Sequence, residues 1–165
     1  MQRSLRILRI VGLTLVSLLA AASAFGTLIM MAVSDLDTLT PVDVAWYAAW
    51  AIIVLLALCS LWSSAYEENP PTPGVGKQQA VLALVIGVAA AVGPFSTIFH
   101  DQVALMQIFM SAGLAAPAGI WLASEARRRG AGALGMVAII FCSIGIVYVL
   151  MGFAAAAFIP FPTPS

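Results

Sequence analysis

Ser124-Glu125-Ala126-Arg127-Arg128-Arg129-Gly130-Ala131-Gly132 lies between two long apolar runs, and its reading decides the fold. It carries three of the seven basic residues of the chain. Arginines clustered in a short connection between two apolar runs mark a turn on the cytoplasmic side of a membrane. The other segments take their orientation from it.

Composition points the same way. Of the 165 residues, 62% are hydrophobic and 8% are charged, whereas soluble domains are about 45–50% apolar and about 25% charged. No water-soluble fold of this length hides so much apolar surface. The formal net charge is zero, so the basic footprint of a nucleic-acid binder is missing. Cys59 and Cys142 are too far apart in the chain to suggest a disulfide framework. As thiols within apolar spans they read as small hydrophobes. The connections leave no room for a separate soluble domain, so residues 1–165 are expected to form a single membrane domain.

A helix needs about 20 mostly apolar residues to cross a hydrocarbon core about 30 Å thick. Working outward from the arginines, this rule predicts an all-α integral membrane bundle of five transmembrane helices, at about 10–33, 44–66, 79–99, 103–123 and 133–159. The first run also resembles a secretory leader, with Arg3, Arg6 and Arg9 ahead of it and Ala22-Ser23-Ala24 as a cleavage-like site. The apolar stretch continues through Phe25, Leu28, Ile29, Met30 and Met31, too long for a leader, and is read as a span. Thr40-Pro41-Val42-Asp43 reads as a helix start, with Thr40 capping and Pro41 in the first turn. Trp46, Tyr47 and Trp50 at one end of the second span, and Trp62 and Tyr66 at the other, read as aromatic belts at the two interfaces. Pro94 and Pro117 are expected to kink the third and fourth spans. The proline-rich stretch at 67–77 and the prolines of the tail favour extended, non-helical paths.

Five spans place alternate connections on alternate sides. Arg3, Arg6, Arg9, Lys77, Arg127, Arg128 and Arg129 then all fall on one side, and serve as topology anchors. The positive-inside rule makes that side cytoplasmic. The N-terminus is therefore expected in the cytoplasm and the C-terminus outside, in a prokaryotic-type inner or plasma membrane.

Candidates for chemistry are sparse. Every Asp, Glu, Lys, Arg and His falls at a span boundary or in a connection. A charge at a helix centre costs at least about 2.5–3.5 kcal/mol and normally marks function. Its absence weighs against proton relay and ion-coupled transport. His100, beside Asp101, is the single histidine. It reads as an outer-face turn residue, or alternatively as a metal or quinone ligand. Met106 and Met110 are spaced i, i+4 and share a helix face. With His100 they would form a thioether and imidazole set of the kind that suits Cu(I), against the plainer reading of methionine as an apolar filler. No cofactor is predicted. Walker-type loops, H-E-x-x-H, C-x-x-C and G-x-S-x-G patterns are absent.

Small residues recur at i, i+4 spacing: Ala83, Gly87 and Ala91 in the third span, Ala115 and Gly119 in the fourth, with Ala20 to Ala24 and Gly26 in the first. That pattern lets backbones approach closely in lipid. The expected function is therefore a non-catalytic membrane subunit of a larger complex, acting by helix packing and stabilisation. Its expected partners are membrane lipids and other integral-membrane subunits or further copies of itself. The rivals are a small carrier or channel for an apolar or metal solute, and a membrane redox protein using His100.

Overall fold

The computed structural model describes residues 2–33, 39–66, 74–99 and 102–158. Five α-helices account for nearly all of them: α1 (Gln2–Val33), α2 (Pro41–Tyr66), α3 (Val75–Val92), α4 (Val103–Arg128) and α5 (Gly132–Phe158). A 3₁₀ segment, Gly93–Phe99, continues α3. All five helices contain stretches long and apolar enough to cross a membrane: Ile7–Val33, Pro41–Ala65, Val75–Ser96, Ala104–Arg128 and Gly132–Ala155. A helix satisfies its own backbone, which is what hydrocarbon demands of a spanning segment. The chain is thus all-α, with five helices compatible with a membrane bundle.

The packing register sets the direction of each helix. Gly87 meets Cys142, Gly145 meets Ala90 and Gly93 meets Tyr148, so α3 and α5 run parallel. Gly119 meets Cys142 and Gly113 meets Val149, so α4 runs antiparallel to both. Helix α1 is antiparallel to α4: Gly12 lies against Trp121 and Ser23 against Ser111. Helix α2 is antiparallel to α1, since its Trp50 reaches Ser23 and its Trp62 reaches Ser17. The start of α1, the end of α2, the start of α3, the end of α4 and the start of α5 therefore share one end of the bundle. That end holds Arg9, Lys77, Arg127, Arg128 and Arg129, and the first turns of α1 bring Arg3 and Arg6 to it.

Helices α3, α4 and α5 form the core. A Cβ on Gly145 would stand 2.4 Å from the Cβ of Ala90 and 3.3 Å from its Cα. One on Gly119 would stand 2.5 Å from the Cys142 Sγ. Only glycine admits such approaches, and the facing positions are alanines: Ala83, Ala90, Ala115, Ala123 and Ala138 are fully buried. Close backbones gain van der Waals contact, the main attraction between helices when the surrounding lipid is as apolar as they are.

Several boundaries differ from the sequence expectation, each for a local reason. Helix α4 runs on through Ser124-Glu125-Ala126-Arg127-Arg128, where the sequence suggests a connection. Glu, Ala and Arg are good helix formers, and Glu125 pairs with Arg129 one turn on, Nε to Oε1 at 3.2 Å. The connection to α5 shrinks to Arg129-Gly130-Ala131, with Gly130 at φ 87. Helix α1 begins at Gln2 rather than near residue 10, so its arginines lie on helical turns. Pro94 does not bend a continuous helix. Helix α3 ends at Val92, and the Gly93 amide bonds to the Ala90 carbonyl as the chain tightens into 3₁₀ geometry. Pro117, by contrast, is carried within α4.

The start of α2 follows the sequence reading. Thr40 Oγ1 accepts from the Asp43 amide at 3.2 Å, and the Asp43 carboxylate accepts from the Thr40 amide at 3.0 Å and from its hydroxyl at 2.7 Å. This reciprocal box satisfies donors that a helix start would otherwise leave open. The residues of the Asp35 and Asp37 loop, of the 67–73 connection, His100, Asp101 and the tail from 159 lie outside the described residues.

Candidate functional site

Neutral polar groups, rather than charges, mark the interior. Trp50 donates its indole N–H to Ser23 Oγ at 3.3 Å, Ser23 donates to Ser111 Oγ at 3.4 Å, and Ser111 donates to the Ile108 carbonyl at 3.0 Å. This directed chain crosses α2, α1 and α4. Beside it the Tyr47 hydroxyl donates to the Gln107 Oε1. Aligned hydrogen bonds polarise one another in a low-dielectric interior, so the chain is a defined latch rather than a set of isolated contacts.

That geometry corrects the reading of the aromatic belt. Trp46 is 45% exposed and faces outward, as an interfacial residue should. Tyr47 is fully buried and Trp50 is 3% exposed. Both use a polar tip inside the bundle, the alternative partner for a buried Tyr or Trp. Trp62 behaves similarly, donating to Ser17 Oγ at 3.1 Å. The signal available in the sequence was the pair Gln107 and Ser111, one turn apart in an otherwise apolar span.

The basic end contains a second polar cluster. Glu125 accepts from Arg129 at 3.2 Å and stands 3.8 Å from Arg128. The Arg129 side chain is buried, with its Cβ so close to Gly76 of α3 that a Cβ there would stand 2.8 Å away. Gln79, three residues further along α3, is also buried. Among the described residues Glu125 is the carboxylate that faces these arginines.

Of the two candidate methionines, Met106 is half-buried and Met110 is 54% exposed. His100, the third member of the proposed soft site, lies outside the described residues. Cys142 is buried between α3, α4 and α5, its thiol 3.5 Å from the Ala83 carbonyl, while Cys59 is exposed on α2; both are free.

Among the described residues, grooves open on the flanks of the bundle. One of about 740 Å³ lies between α1 and α4 at the basic end. One of about 460 Å³ lies among α2, α3 and α4, walled by Trp46, Trp50, Val88 and Phe109. One of about 490 Å³ lies between α1 and α2. The second and third are apolar throughout; the first has a charged rim formed by Arg9, Glu125 and Arg128.

Fold and geometry together define the class: an all-α bundle of five membrane-length helices whose described internal polar groups, away from the Glu125–Arg129 pair at the basic end, are neutral hydrogen-bonding side chains. No protein-family model, curated protein or solved structure matches this chain.

Proposed function

We propose that the protein is a non-catalytic integral-membrane subunit of a larger membrane complex, working by helix packing and stabilisation. The observation that carries this reading is the contrast between inside and outside. Among the described residues, charged side chains lie towards the helix ends and in connections, away from the middle of the spans. The interior is closed by alanine, glycine and a neutral hydrogen-bond latch. The outward faces of α1, α2 and α5 are large and apolar, including Leu18, Phe25, Leu55, Ile140, Leu150 and Phe153. Such faces suit lipid or the helices of other subunits, and a packed interior that is uncharged away from the basic end suits a scaffold better than a polar-solute pathway. The basic end faces the cytoplasm in this reading and the C-terminus lies outside, in an inner or plasma membrane of prokaryotic type, by the distribution of Arg and Lys.

Purification from native membranes in mild detergent tests the reading. Reproducible copurification of defined integral-membrane chains, recovered again when those chains carry the tag, is the expected result. A chain that runs alone as a monomer overturns the subunit assignment. Solute flux through the purified protein in liposomes, or a bound chromophore lost on His100→Ala, transfers the assignment to a carrier or to a redox protein. The orientation has its own test: a Gly130→Cys variant should react with a membrane-impermeant maleimide only after the membrane is opened, and labelling of intact cells reverses the topology.

A further inference from the structure

The groove between α1 and α4 combines two features the other grooves lack together. Its shaft is apolar, walled by Val11, Leu15, Pro117, Ile120 and Trp121. Its rim carries Arg9, Arg128 and Glu125. From Leu8 to Leu15 the shaft follows α1 for about 10 Å at the rise of an α-helix. Gly12 lets the Trp121 indole lie close against α1, since a Cβ at Gly12 would already stand 3.2 Å from the ring. The groove is therefore open beside this contact rather than filled by it.

The charge on the rim is asymmetric. Glu125 is engaged by the buried Arg129 through one carboxylate oxygen, and its other oxygen stands 3.8 Å from Arg128. Among the described residues that line the groove, the single carboxylate of Glu125 is accompanied by the guanidiniums of Arg9 and Arg128, and this lining is positive on balance. The Arg128 side chain is 76% exposed and Arg9 is exposed, so both can meet a ligand at the mouth. A guanidinium offers a planar fork of donors that matches phosphate oxygens.

A positive rim over an apolar shaft is complementary to an amphiphile with an anionic head and a hydrocarbon tail. A soluble anion gains nothing from the apolar walls, and a zwitterionic headgroup gains less from the rim. We propose that the α1–α4 groove is a binding site for an anionic phospholipid. Its phosphodiester lies between Arg9 and Arg128, and one acyl chain lies along Gly12, Leu15, Pro117 and Trp121. The proposal rests on insertion of the helices in a bilayer and is independent of the subunit reading, because it is tested on the purified chain alone.

The test is native mass spectrometry of the full chain in detergent, titrated with dioleoyl phosphatidylglycerol, with dioleoyl phosphatidylcholine and with inorganic phosphate. The wild type should retain phosphatidylglycerol at least about tenfold more strongly than phosphatidylcholine, on the basis of the two arginines at the mouth. Arg9→Gln and Arg128→Gln should each weaken phosphatidylglycerol by about fivefold, and the pair by about 25-fold. Lys77→Gln and Arg127→Gln remove the same charge from the same end outside the groove; Arg127 packs its stem towards Gly135 of α5. Both should leave retention unchanged. Leu15→Trp, which fills the shaft, should weaken both lipids. Equal retention of the two lipids overturns the proposal. So does an equal loss with Lys77→Gln, which would mean diffuse attraction to the basic end. Displacement of the lipid by millimolar phosphate would mean a soluble-anion site and also overturns it.

Discussion

Helices α3, α4 and α5 are held together differently from the pair α1 and α2. In the first group glycine and alanine bring backbones into contact, and the Cys142 thiol adds a weak link to the Ala83 carbonyl. In the second, Trp50 and Trp62 of α2 reach serines of α1, and Tyr47 reaches Gln107 of α4. Grooves open beside α1 and α2, whereas the three-helix core is closed. The difference teaches how a small bundle divides its labour. Close packing fixes geometry with little tolerance, and directed hydrogen bonds attach further helices across a looser interface that leaves room for lipid.

The largest expected effect comes from breaking the close packing. Gly145→Val places its Cβ 2.4 Å from the Ala90 Cβ and 3.2 Å from a backbone carbon that cannot swing aside. Overpacking of a tight interior costs about 1–3 kcal/mol and sometimes more, and backbone contact puts this site at the upper end. Thermal or SDS-induced unfolding in detergent should show a large loss of stability. If Gly145→Val unfolds like the wild type, α3 and α5 are not in contact and the comparison fails.

Next comes the latch. Tyr47→Phe removes the donor to Gln107 and leaves a carbonyl without that partner in a buried setting. Hydrogen bonds between membrane helices average about 0.6 kcal/mol and reach about 1.7 kcal/mol, so a loss near 1 kcal/mol is expected, read from the same unfolding curves. Ser23→Ala cuts the Trp50–Ser23–Ser111 chain at its middle and should cost a similar amount. Combined with Trp50→Phe it should cost less than the sum, because both changes remove the same bond. Strict additivity would mean that the two side chains are not coupled. Thr40→Ala, which opens the capping box of α2, should cost about 1 kcal/mol by the usual value of such caps.

What was legible in the sequence follows the same division. The number of helices follows from the apolar runs, because crossing length is a one-dimensional property. The Thr40-Pro41-Val42-Asp43 start was legible because a cap is made within a few residues. The inward role of Tyr47 and Trp50 was not: an aromatic near a span end suits an interface equally well, and the choice depends on Gln107 and Ser23, far away in the chain. The charge of the run Ser124 to Arg128 suggests a connection. In fact the Glu125–Arg129 pair extends the helix. Pro94 and Pro117 looked alike. Gly93 beside Pro94 puts two poor helix formers together and α3 ends there, while Pro117 follows Ala115 and Ala116, strong helix formers, and α4 continues. His100 and the Met106–Met110 pair rest where the sequence left them, with Met110 now known to face outward.

The smallest effect gives the sharpest form of the comparison, because the same substitution is made in both regions. Gly145→Ala and Gly26→Ala each add a single methyl group to an apolar helix. At Gly145 the new carbon falls inside the Ala90 side chain. At Gly26, on α1, it meets nothing within 4 Å among the described residues. Alanine exceeds glycine in helix propensity by about 0.8–1 kcal/mol, a gain present at both sites. At Gly26 nothing opposes it, and stability in detergent should hold or rise by up to that amount. At Gly145 the clash outweighs it, and stability should fall. Opposite signs would establish that Gly26 is not used for close packing within the chain, although it belongs to the same small-residue pattern as Gly87 of α3. Equal destabilisation at both would mean that α1 packs as tightly as the core, and that the groove beside it closes in the folded protein.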